Sequence, residues 1–93
     1  MANEEDAPPI GIDFNTFILS LRTSALMHLG ELSEAEDAKA NLGLAKGSID
    51  CLALLEEKTK GNLTGEEERL LSEVLYDLRL RFVAACKAAQ NQS

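Results

Sequence analysis

KGNLTGEEE, Lys60–Glu68, decides how the chain is divided. Asn62-Leu63-Thr64 matches the acceptor pattern for N-linked glycosylation, which has meaning only in a secreted chain. Gly61 and Gly65 beside Lys60 invite comparison with a phosphate loop. Such a loop follows a strand and ends in Gly-Lys-Ser/Thr. No strand-like run precedes this stretch, no Lys-Ser/Thr follows Gly65, and Glu66, Glu67 and Glu68 would repel a phosphate. Every residue type fits a third reading, in which one helix stops and another starts. Lys58 and Lys60 suit the negative end of a helix dipole, and the three glutamates suit the positive end of the next. Gly61 is a natural residue just beyond a helix C-cap. Thr64 and Glu67 have the spacing of a capping box, in which each side chain bonds the other's backbone N–H.

Working outward, the same grammar places two more helices. Asp13 is an N-cap for a first helix from about Phe14 to Leu29. Phe14, Phe17, Ile18, Leu21, Ala25 and His28 share one face of it. Leu19 and Leu26 lie off that face, and Gly30 is the stop. Ser33 with Glu36 has box spacing, so a second helix is expected from about Glu34 to Lys58, with Ala38, Leu42, Ala45, Ile49 and Leu52 inward. The third helix is expected from about Gly65 to Ala89, with Leu71, Val74, Leu75, Leu78, Phe82, Ala85 and Ala89 inward.

The 93 residues suit one small domain. Aromatic residues are 4% and Trp is absent, so the core must come from Leu, Ile, Val and Ala, which favours helix on helix. The expected class is all-α: three helices in an antiparallel up-down-up arrangement over residues 13–90, associating into a dimer or higher oligomer. An acidic tail over 1–12, with Pro8-Pro9 and no periodicity, is expected to be disordered, and 91–93 to fray.

A net charge of −7 argues against nucleic acid and against anionic membrane surfaces. The opening Met1-Ala2-Asn3-Glu4-Glu5-Asp6 has no apolar run of a secretory signal, and no stretch has the roughly 20 apolar residues of a membrane span. A cytoplasmic protein is expected, with Cys51 and Cys86 as reduced core thiols.

No motif carries chemistry. His28 is the sole histidine, and neither cysteine stands at a metal-ligand spacing from it or from the other, so no metal and no cofactor are expected. Asp50 lacks a second carboxylate held in a cleft and suits a salt bridge with Arg22 or Lys46. Arg79, Arg81 and Lys87 make a basic cluster that solvent or Asp77 and Glu73 would satisfy. No nucleophile stands with its base, so an enzyme is not expected.

What remains is an association signal. On the third helix Tyr76, Leu80 and Val83 gather opposite the inner stripe, and a single chain would leave them in water. Leu19 and Leu26 repeat the signal on the first helix. The sequence therefore reads as a non-enzymatic, self-associating interaction module. A homodimer or higher even-numbered assembly would cover these five residues. The alternative is a regulatory adaptor that binds another protein through an apolar groove beside the first helix.

The stretches FNTFILSLRTSALMHLGEL (Phe14–Leu32), LAKGSIDCLALLEEKTKGNLT (Leu44–Thr64) and EEERLLSEVLYDLRLRFVAA (Glu66–Ala85) carry a family resemblance. In this order, SALMHLG, AKGSID, KTKGNLT and LYDLRLRF resemble a bacterial family of small proteins, the domain-of-unknown-function family numbered 1844. The resemblance implies an all-helical bacterial domain and supplies no activity and no catalytic residue. It also implies that the acidic connector from Glu31 to Asp37 is a loop whose length can vary.

Overall fold

The computed structural model describes residues 12–32 and 40–91. Among them the regular elements are three helices: α1 over Phe14–His28, α2 over Leu42–Lys58 and α3 over Gly65–Asn91, with no strand. The chain is all-α.

Short polar side chains set the helix starts. The Asp13 carboxylate accepts from the Thr16 N–H at 2.8 Å and begins α1. Hydrogen bonding from Thr16, from its side chain first and then from its backbone N–H, holds the Asp13 carboxyl below its ordinary 3.8. At the other end Gly30 takes φ +80°. The Glu31 N–H then reaches the Leu26 carbonyl at 3.0 Å and the Gly30 N–H reaches Met27 at 2.9 Å, the paired bonds of a Schellman stop.

The second helix starts later than the spacing predicts. Ala40 and Asn41 are not helical, so no continuous helix runs from 34 to 58. Asn41 is the cap: its amide oxygen accepts from the Leu44 N–H at 3.0 Å. The Asn41 N–H donates instead to the His28 carbonyl at 2.6 Å, which removes it from any earlier helical ladder and ties the start of α2 to the end of α1. Ser33, Glu36 and Ala38 lie outside the described residues, as does the acidic tail apart from Ile12.

At the turn between α2 and α3, Thr59 is the C-cap. Gly61 sits one residue beyond the position expected of it. With φ +86° it is the third residue of a tight turn closed by the Asn62 N–H on the Thr59 carbonyl at 2.8 Å. Thr64 Oγ1 accepts from the Glu67 N–H at 3.1 Å, and Glu67 Oε1 accepts from the Thr64 N–H at 2.9 Å. This reciprocal pair starts α3.

The core is aliphatic throughout. Ile18, Ala25, Leu26 and Leu29 meet Ala45, Ile49 and Leu52 and Leu71, Val74, Leu75 and Leu78. Burial of such surface, at about 25 cal/mol per Å2, is the main favourable term in folding. All three helices touch one another. Because α1 lies against two neighbours, its buried arc is wide. Leu26, expected off the inner face, is buried at 6% exposure near the end of α1, where Asn41 and Arg81 bring α2 and α3 against it, whereas Phe17, expected on that face, is exposed.

Helix lengths differ. At about 1.5 Å per residue α3 is about 40 Å long, against about 22 Å for α1 and about 25 Å for α2. The buried residues of α3 all fall between Leu71 and Leu78. Beyond Cys86 the described residues of α3 are all exposed, Ala89 among them although it continues the inner stripe.

Candidate interaction surface

The helix that supplies the largest share of the core also carries the most ordered exposed apolar patch. Turning 100° per residue, α3 puts Tyr76, Leu80 and Val83 within an arc of roughly 60°, opposite Leu71, Leu75 and Leu78. Their exposures are 68%, 54% and 50%. Arg69, Glu73, Arg79 and Lys87 are exposed on the same helix and frame the patch with charge. Of the two residues expected on α1, Leu19 is 45% exposed and Leu26 is buried, so Leu26 belongs to the core of one chain and to no interface. The other exposed apolar residues of α1, Phe17 and Met27, point to different sides of the helix from Leu19, and they do not form a continuous face.

Residues that could have carried chemistry are engaged otherwise. Asp50 is bonded to Lys46 at 2.8 Å, one turn away, and both are exposed. Arg81 is held by Asp77 at 2.7 Å and also by Glu31, which links the middle of α3 to the end of α1. These two carboxylates, Asp77 first, raise the Arg81 guanidinium above its ordinary range. His28 is half-buried in the last turn of α1, where a basic side chain complements the dipole. Cys51 is exposed and Cys86 half-buried, so neither is the core thiol expected. Both occupy α-helical positions turned away from the centre of the core, Cys51 just before the buried Leu52.

Between the end of α2 and the start of α3 lies an open groove of about 460 Å3, lined by residues that include Glu56, Glu57, Lys60, Glu68 and Ser72. Its rim is acidic, and the Ser72 hydroxyl donates to Glu56 across it at 3.4 Å. Among the described residues no three His, Cys, Asp or Glu side chains are grouped to hold a metal ion. No helix among them is long and apolar enough to cross a membrane.

The sequence reading missed one feature of α2. Leu54 is 54% exposed, on the same side of the helix as Gly43 and Gly47. The signal was present: Leu54 stands two residues past the buried Leu52 and therefore about 160° away from it.

The model of one family, described as Domain of unknown function (DUF1844), matches residues 11–84. The chain belongs to that family. No curated protein and no solved structure matches it.

Proposed function

With membership of that family as the premise, we propose that the chain is a non-enzymatic helical interaction module that associates with itself. The observation that carries this reading is the aligned exposure of Tyr76, Leu80 and Val83 on the back of α3. Scattered apolar residues on a surface are ordinary, whereas three aligned on one stripe are less so. A homodimer, or a higher even-numbered assembly, covers the patch on both copies at once.

The same reading takes the helices as up-down-up. Three ties support that order: His28 to Asn41 at the first connection, Glu56 to Ser72 between α2 and α3, and Glu31 to Arg81 between the end of α1 and α3. They put the start of α2 and the middle of α3 beside the end of α1. We take the protein to act in the cytoplasm, without metal or cofactor. The adaptor reading has less behind it, since the exposed apolar residues of α1 are spread around the helix.

Light scattering after size exclusion tests the proposal. The wild-type chain should elute with a mass of at least two chains at tens of micromolar, and Leu80→Glu should shift toward one. A wild-type mass of one chain would sink self-association. An unchanged oligomer in Leu80→Glu would move the contact off α3.

A further inference from the structure

The back of α3 is not alone on its side of the molecule. On α2, Gly43, Gly47, Asp50 and Leu54 fall within an arc of roughly 60°. All four are exposed. A methyl group added at Gly47 would meet nothing within 4 Å, and one at Gly43 would meet only the Asn41 side chain at 3.7 Å. The α2 arc lies next to Glu57 and the α3 arc next to Ser72, and both of these residues line the groove between the two helices. Both arcs lie away from α1, which holds the other side of α3 through Glu31 and Arg81.

We infer that two copies pair about a two-fold axis parallel to the helices, with α2 of each lying on α3 of the other. This inference rests on the self-association proposed above and specifies how it is made. An axis parallel to the helices leaves every residue at its own height. The Ser72–Glu56 contact fixes the relative heights of the two antiparallel helices within one chain. Counting from it at about 1.5 Å per residue brings Leu54, Asp50, Gly47 and Gly43 to the heights of Tyr76, Arg79, Leu80 and Val83, within about 3 Å. The two-fold axis then sets each of these α2 residues against the second copy's α3 residue at that height.

The facing residues suit one another in size and charge. Leu80 and Val83 meet the two glycines, where α2 has no side chain and the helices can approach closely. Leu54 meets Tyr76. Asp50 meets Arg79, and one turn from Leu54 the same heights bring Glu57 toward Arg69. Arg69, Arg79 and Glu57 have no ion pair within the chain among the described residues. A second copy therefore supplies opposite charge at two points, and each pairing occurs twice by symmetry. Two-fold reciprocity of this kind is the commonest closed arrangement of like chains. It makes a four-helix layer of α2, α3 and their copies, with small residues at the close crossing.

Gly47→Leu is the decisive variant. In a single chain it fills open space and replaces glycine by a better helix former, so the fold is retained. In the pair it occupies the place of the second copy's Leu80. Light scattering should show a fall from at least two chains to one, with helical circular dichroism unchanged. Asp50→Arg and Arg79→Asp should each weaken association about tenfold, and the double variant should recover most of it. A wild-type mass of one chain removes the self-association itself. A wild-type oligomer whose mass Gly47→Leu leaves unchanged overturns the docking mode alone. So does a double charge reversal no better than either single one.

Discussion

The two faces of α3 are built from the same kind of residue and have opposite surroundings. Leu71, Leu75 and Leu78 are no more than 1% exposed, whereas Tyr76, Leu80 and Val83, which overlap them within a stretch of about three turns, are at least half exposed. Hydrophobicity does not separate the two sets; position around the helix does. The inner set is covered by α1 and α2, and among the described residues no other element covers the outer set. An apolar stripe can thus be part of a fold on one side and available for association on the other.

Breaking the inner face should have the largest effect. Leu78→Ala removes a side chain with no exposure and should cost about 2–5 kcal/mol, the transfer loss plus the cavity left behind. Urea denaturation reads it as a lower midpoint. If Leu78→Ala cost no more than a surface change, the assignment of α3's two faces would be wrong.

Leu26 against Leu19 sharpens the same contrast on α1. Leu26→Ala should also cost about 2–5 kcal/mol, while Leu19→Ala should stay near 0.5 kcal/mol. Equal effects in a denaturation series would contradict the difference in burial between the two levels of that helix.

A smaller effect is expected at the start of α3. Thr64→Ala removes the acceptor for the Glu67 N–H and should cost about 1 kcal/mol. An unchanged midpoint would deny Thr64 its capping role. This variant bears on both faces equally, because it shortens the helix that carries them.

The smallest effect is a pH dependence at α1. Bonding to Thr16 lowers the Asp13 carboxyl in the folded chain, so the stabilisation is present above its unfolded value and is lost as pH falls through the folded one. Amide exchange at Thr16 should therefore quicken as pH is lowered through and below 3.8, relative to its intrinsic rate, and Asp13→Ala should abolish that dependence. An identical profile in the variant would remove the carboxylate from the account. Neither face of α3 should respond, since Asp13 is exposed and remote from both along the chain.

Much of the architecture could be read locally. Asp13, Gly30, Thr64 and Glu67 each act within a few residues of their own position, through short side chains or a positive φ, and such rules need no knowledge of the rest of the chain. The inner stripe of α3 was legible for the same reason, as periodicity follows from helix geometry alone. The start of α2 was not. Ser33 and Glu36 offered a plausible box, but Asn41 gives its N–H to His28, a bond between segments that sequence spacing does not reveal.

By itself the sequence determined three helices, most of their ends, an aliphatic core and an unusual apolar patch on α3. Only the tertiary structure decided which of the off-face residues were surplus. Leu19 and Leu26 looked alike in the sequence, since both miss the main stripe of α1. Burial depends on how many neighbours a helix has and where they stand. Seven residues apart, Leu19 and Leu26 share one side of α1 within about 20° and differ by about 10 Å along it; the level of Leu26, near the end that Asn41 and Arg81 tie to α2 and α3, is covered, and the level of Leu19 is not. The same physics separated Leu52 from Leu54, and among the described residues nothing stands within 4 Å of a methyl added at Gly47.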